Sequence, residues 1–224
     1  MARQKLPRFE YNAQSENVIE RGKELYTTIK SSWREKYFKN NNPLVLELAC
    51  GKGEYTIGMA QVYPDKNFIG IDIKGDRIAR GSKRANDLDL PNVAFLRTPM
   101  AFLEEFFEEN EVDEIWLIHP DPQPRDKEER KRLTNPRYLK LFKKILKFEG
   151  NFFFKTDNFP LFMYSVQTIP VEFEILRQTT DLDSSQLLSE HFGIDGCPIE
   201  THYEKLFKAK GHKINYLAAK SLKN

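Results

Sequence analysis

Short β-rich runs recur along the chain at Leu44 to Leu48, Phe68 to Ile73, Val93 to Leu96, Ile115 to Ile118 and Phe152 to Lys155, separated by segments of helical character. That alternation predicts βαβ units, a parallel sheet with helices on both faces. Two later runs, Val171 to Gln178 and Lys213 to Ala218, flank a short helix expected over Glu200 to Lys210. With little room for a crossover between them, they read as an antiparallel addition at the sheet edge, giving a mostly parallel, seven-stranded α/β architecture. Upstream, Val18, Ile19, Leu25, Tyr26, Ile29 and Trp33 recur at helical spacing and predict an amphipathic helix that packs onto the main domain. The expected organisation is a helical extension over residues 1–40 and one α/β domain over residues 41–224.

Composition narrows the class. The 224 residues, 40% of them apolar, suffice for one large core. No apolar run approaches the roughly 20 residues that span a bilayer, and the basic start lacks a signal peptide's apolar stretch, so a soluble, cytoplasmic protein is expected. Cys50 and Cys197 lie far apart without Cys-x-x-Cys spacing, which argues against a disulfide framework or zinc site and for two small buried hydrophobes. The net charge of +2 says little, but its distribution says more. Glu104 to Glu114 holds seven acids and no base, Arg125 to Lys147 ten bases against three acids, and Thr201 to Asn224 six lysines against Glu204. Several basic runs in one domain shift the reading toward a polyanionic partner.

The most specific stretch, His119-Pro120-Asp121-Pro122-Gln123-Pro124-Arg125, leaves the fourth run and leads into Arg130-Lys131-Arg132. Its prolines fix φ, remove backbone donors and bias each preceding residue toward extended geometry, so a stiff loop holds Asp121 beside a phosphate-binding surface. A second motif, Glu47-Leu48-Ala49-Cys50-Gly51-Lys52-Gly53-Glu54, joins the first strand to a helix. Gly51 and Gly53 permit a tight turn and close approach of a ligand to the helix amino terminus. The second strand ends in Asp72, 21 residues after Gly51, at the spacing where a carboxylate grips a ribose diol. A dinucleotide site wants a third glycine, which Tyr55 to Ile57 do not supply, whereas Glu47 suits a cationic sulfonium and ammonium. The reading therefore favours S-adenosylmethionine over a dinucleotide.

Taken in order, Glu47-x-x-x-Gly51-x-Gly53, Phe68-Ile69-Gly70-Ile71-Asp72, Pro120-Asp121-Pro122 with its basic cluster and Arg132-Leu133-Thr134, Thr156-Asp157, and Thr201-x-Tyr203-Glu204-x-x-Phe207-x-x-x-Gly211 resemble the bacterial tRNA (guanine-N7-)-methyltransferase family over about residues 40 to 220. The resemblance implies a Rossmann-like S-adenosylmethionine methyltransferase fold, tRNA as partner and the variable-loop guanine, tRNA position 46, as target. It places Glu47, Gly51, Gly53, Asp72 and Thr98 at the cofactor, with Asp121 at the junction of cofactor and target base as the catalytic residue. It assigns Arg125, Asp157, Thr201, His202, Tyr203 and Glu204 to substrate binding, and Lys127, Arg130, Lys131 and Arg132 to RNA. No metal is expected, and the assembly is a monomer or homodimer. Four positions depart from the family pattern: Ala49 for a first glycine, Thr98 for an acid, Gln123 for an aromatic and Arg125 for a lysine. Thr98 keeps a hydrogen bond to an adenine edge without a charge, Gln123 loses a stacking surface, and Arg125 offers a planar fork in place of a point charge.

Guanine N7 carries an in-plane lone pair and no proton at neutral pH, so its methylation needs no general base. Asp121, with Asp157, is expected to orient the base by accepting from its N1–H and N2–H2 edge. RNA recognition is expected to rest on phosphates and shape, through Lys127, Arg130, Lys131 and Arg132. The remaining candidates read as structural. His119 has no triad partner at a recognisable spacing, and Phe102, Phe106, Phe107 and Phe152 to Phe154 read as core; Thr201 and Glu204 also read as a capping box at a helix start, which still lets the capped helix present polar atoms to a ligand. Two rival functions stay open at this stage: a methyltransferase for another substrate, and an RNA-binding relative without catalysis.

Overall fold

The computed structural model describes residues 5–222. Its strands are β1 (Val18–Ile19), β2 (Leu44–Leu48), β3 (Asn67–Asp72), β4 (Val93–Arg97), β5 (Val112–Ile118), β6 (Leu146–Thr156), β7 (Phe173–Thr179) and β8 (Asn215–Ser221). They form one sheet in the order β1-β4-β3-β2-β5-β6-β8-β7. The pairings from β1 through β6 are parallel, and β8 is antiparallel to both of its neighbours. The late pair thus lies at the sheet edge, with β8 inserted between β6 and β7. Around the sheet run α1 (Lys5–Gln14), α2 (Glu24–Thr28), α3 (Glu54–Val62), α4 (Gly75–Asp87), α5 (Pro136–Ile145), α6 (Phe159–Thr168) and α7 (His202–Lys208).

The central strands are apolar on both faces because both faces are covered: every residue of β2 and β3 is buried. Side-chain alternation sends Leu44, Leu46, Leu48, Ile69 and Ile71 into one core, and Val45 and Phe68 into the other. Burying each such side chain stabilises the fold by about 1.5–3 kcal/mol. Two of the helices begin at a capping asparagine. Asn135 accepts from Arg137 N–H ahead of α5, and Asn158 accepts from Leu161 N–H at 2.9 Å ahead of α6.

The single helix expected over Val18 to Trp33 does not form. Val18 and Ile19 pair with Phe95 and Leu96 on the open edge of β4, adding an eighth strand to the seven expected. β-branched side chains suit that extended geometry, and the ladder satisfies backbone groups of an otherwise open edge. Gly22, at φ +99°, then turns the chain before α2. The helical periodicity reflected burial and not one helix: Ile29 and Trp33 are both buried, and Trp33 stacks on Phe107 at 5.4 Å. Two further expectations fail. Phe102 is 48% exposed because Leu103, beside it on a 3-10 turn, takes the inward position. Cys197 is exposed in a loop after Gly196, whereas Cys50 is buried.

The chain runs from β2 outward to β3 and β4, then returns to the other side of β2 as β5 and β6. That reversal opens a crevice at the carboxyl ends of β2 and β5, where α/β sheets take their ligands. Among the described residues, no helix is long and apolar enough to cross a membrane, and no cluster of His, Cys, Asp and Glu could hold a metal ion.

Candidate active site

Two cavities share a wall in this crevice. The larger, about 620 Å³, is lined by Glu47, Gly51, Asp157, Thr201 and Tyr203 among others. The smaller, about 260 Å³, is lined by Asp72, Ile73, Thr98, Met100 and Gln123 among others. Ala49, Arg77, His119, Pro120 and Asp121 border both. The proline-stiffened loop after β5 therefore puts Asp121 between a compartment at the end of β3 and a second one floored by α7.

The turn between β2 and α3 is built by the carboxylates that flank it. Asp72 accepts from Gly51 N–H at 2.9 Å and Lys74 N–H at 2.8 Å, and Glu47 accepts from Thr56 N–H at 2.7 Å and from the Thr56 hydroxyl. Burial pushes the Glu47 carboxyl up to about 8, only partly offset by Thr56, so it is largely protonated at neutral pH until a cation is placed against it. Gly51 and Gly53 differ in role. A Cβ on Gly51 would meet nothing within 4 Å, whereas one on Gly53 would lie 2.5 Å from the Phe95 ring. Gly51 keeps the cavity open, and Gly53 lets the turn close onto the core instead of touching a ligand.

Two residues of the shared wall and one of the smaller cavity sit on strained backbone. Ala49, His119 and Gln123 adopt φ of 58°, 47° and 48°, the left-handed region. Ala49, which stands where the family has a glycine, thereby costs on the order of 1 kcal/mol that glycine would avoid.

Beneath the larger cavity lies an ionised network. His119 Nδ1 is 3.1 Å from Asp157 Oδ1, and His119 Nε2 is 3.2 Å from Glu204 Oε2. Lys155 Nζ lies 2.7 Å from Glu204 Oε1. Burial opposes charge on Glu204, but His119 and Lys155 outweigh it and hold the carboxyl at about 2. Asp157 falls below its ordinary value despite partial burial, again through His119. Lys155 is pulled down by burial, with Glu204 acting against the shift. Thr201 Oγ1 accepts from Glu204 N–H at 3.1 Å as a helix cap. The expected capping box stays half-made, because the Glu204 carboxylate turns to His119 and Lys155.

The sequence-predicted residues separate into groups. Glu47, Gly51, Asp157, Thr201 and Tyr203 line the larger cavity, Asp72 and Thr98 the smaller, and Asp121 both. His202 contributes its backbone N–H to Glu54 at 3.1 Å, and Glu204 lies under the floor. Arg125 stands outside both cavities, its guanidinium paired with Glu128 at 2.8 and 3.0 Å. Lys127, Arg130 and Lys131 are exposed on a 3-10 turn, and Lys131 also lines the smaller cavity. Arg132 folds back, donating to Gln123 O at 3.2 Å and lying over the Tyr164 ring at 4.6 Å. Sequence reasoning missed His119, Ile73 and Lys155. A lone lysine closing the run Phe152-Phe153-Phe154 was a usable signal, because a lysine in a buried strand requires a partner.

The family model described as "Putative methyltransferase" matches residues 41–217, which makes the chain a methyltransferase of the Rossmann-like class. The tRNA (guanine-N(7)-)-methyltransferase of Cytophaga hutchinsonii is 43% identical over 220 residues, covering 97% of both chains. That of Christiangramia forsetii is 42% identical over 224 residues, covering 98% of both. The chain belongs to the tRNA (guanine-N7-)-methyltransferase family. In fold alone it is also similar to the 16S rRNA (adenine(1408)-N(1))-methyltransferase of Catenulisporales acidiphilia, solved with cosubstrate SAM (TM-score 0.61, 12% identity, 86% of this chain and 91% of that one). The family's cofactor, S-adenosylmethionine, fits the residues present. The smaller cavity offers the Asp72 carboxylate, the exposed apolar Ile73 and the buried Thr98 hydroxyl, which has no partner among the described residues.

Proposed function

We propose that this chain methylates N7 of a tRNA guanine, the variable-loop guanine at position 46. The observation that carries the reading is Asp121 on the wall shared by the two cavities, beside the anionic Asp157. When bound, S-adenosylmethionine supplies an electrophilic methyl group on a sulfonium. Asp72 would hold the ribose, Thr98 the adenine edge, Ile73 an adenine face, and Glu47 the cationic end across the open Gly51 backbone. Asp121 accepts from the guanine N1–H and N2–H2 edge and so turns N7 toward the smaller cavity. Its charge favours the cation that the base becomes on methylation. Asp157, Thr201 and Tyr203 bound the rest of the base's compartment. Incubation with unmodified tRNA and methyl-labelled S-adenosylmethionine, followed by nucleoside analysis, is expected to place the label in 7-methylguanosine. Label in another nucleoside, or none, would overturn the reading.

Binding of tRNA phosphates falls to Lys127, Arg130 and Lys131, which project from the turn that follows the Asp121 loop. Replacing Lys127 and Arg130, which line neither cavity, by Gln is expected to weaken tRNA binding and to flatten its dependence on log salt by roughly 0.7–0.9 for each phosphate no longer neutralised, with cofactor affinity unchanged. Filter binding at several salt concentrations checks this, and an unaltered slope would remove the turn from the interface.

A further inference from the structure

His119 stands between two carboxylates that reach it from different elements, Asp157 after β6 and Glu204 on α7. Its ring is 8% exposed, and its left-handed backbone, with the N–H donated to Lys155 O at 2.8 Å, leaves it no other outlet. A neutral imidazole has one N–H and one lone pair. It could satisfy one carboxylate only, and would turn its lone pair against the oxygen of the other. An imidazolium donates to both.

We propose that His119 in its doubly protonated form is a positioning residue for methyl transfer: it fixes Asp157 and the α7 start against each other, and its deprotonation lowers activity on the alkaline side. The inference rests on the reading that Asp157 and the Thr201 to Tyr203 segment hold the target base. His119 and Lys155 together balance Asp157 and Glu204, so the network carries no surplus charge while the ring is protonated. The other groups facing the network are Tyr55 of α3, whose ring lies 5.3 Å from Lys155 Nζ, the buried His191, which feels both Lys155 and Glu204, His212 acting on Asp157, Lys208 and Glu200 acting on Lys155, and Asp121 on the His119 loop. Burial disfavours the imidazolium, but the two carboxylates outweigh it and raise the His119 pKa above its ordinary 6.5. The charged form is therefore complete below that ordinary value and is lost as pH rises through the raised one.

The test pairs a titration with kinetics on the intact protein. Histidine-selective 15N NMR of the free protein is expected to show His119 with both nitrogens protonated at pH 7, deprotonating at higher pH. The pH profile of kcat/KM for tRNA, at saturating S-adenosylmethionine, is expected to descend over the same interval. His119→Gln carries its two N–H donors on a single nitrogen, presents a carbonyl oxygen where the imidazolium has its second N–H, and does not titrate. It is expected to lower kcat/KM by about ten- to a hundredfold at pH 7 and to abolish that descending limb. A neutral His119 at pH 7 overturns the proposal whatever the activity. A descending limb that survives unchanged in His119→Gln overturns it as well, since another group would then be responsible. A His119→Phe variant that folds, binds cofactor and keeps full activity also overturns it. Unchanged kcat/KM in Asp157→Asn with the His119 titration as expected would instead refute the parent reading of the substrate site.

Discussion

Replacing Asp121 by Ala is expected to lower kcat for guanine methylation by about 10²- to 10³-fold, with affinity for tRNA changed little. The side chain is exposed, on a loop without regular structure, and borders both cavities, so its removal leaves no hole in the core. In the proposed function its work is geometric and electrostatic. N7 needs no deprotonation, so the rate depends on holding the lone pair in line with the electrophile, where orientation supplies up to roughly 7–11 kcal/mol. tRNA affinity comes mainly from phosphates, which Asp121 does not touch. Single-turnover methylation alongside direct binding measurements checks both halves. Asp121→Asn is the informative companion: it keeps one acceptor oxygen and loses the charge, so an intermediate rate is expected. A variant at wild-type rate would show that the base is oriented by other groups.

Glu204→Ala is expected to destabilise the fold by about 3–5 kcal/mol and to abolish methylation, because it strands the Lys155 ammonium in a site with no access to water. Lys155 is fully buried and Glu204 is its ion-pair partner, while His119 depends on the same carboxylate. Urea unfolding measures the loss. The double variant Glu204→Leu with Lys155→Met is expected to regain much of it, since an apolar pair of similar volume avoids burying charge, but not to regain activity. The pH dependence follows from the same carboxyl. Its folded pKa of about 2 lies below its ordinary 4.5, so its contribution to stability is complete above 4.5 and is lost as pH falls toward 2. An unchanged urea midpoint in Glu204→Ala would mean that Lys155 reaches solvent.

The sheet and most of the site were legible because the motifs lie where strands end, and strand ends are local features. Leu44 to Leu48, with the Gly51 and Gly53 turn, needs no distant partner to be recognised, and neither does the proline run that carries Asp121. The Thr201 cap is local in the same sense. Reading failed where pairing partners are remote. Val18 and Ile19 are two residues, too few for a period of two to register, and what makes them a strand is the free edge of β4 more than seventy residues later. β8 and β7 were expected as an edge pair, but only the packed sheet could place the later strand inside the earlier one.

The sequence by itself determined the αβ alternation, the positions of the turns and the chemistry available at each strand end, since backbone propensity and side-chain periodicity act over a few residues. Tertiary structure alone decided which of those residues act together. His119 reads as a lone histidine because its partners stand 38 and 85 residues away. Once β5, β6 and α7 are packed, exclusion of water makes that histidine, Lys155, Asp157 and Glu204 one interdependent charge network. Burial also sets the direction of each proton equilibrium within it. Neither effect exists until the chain has closed.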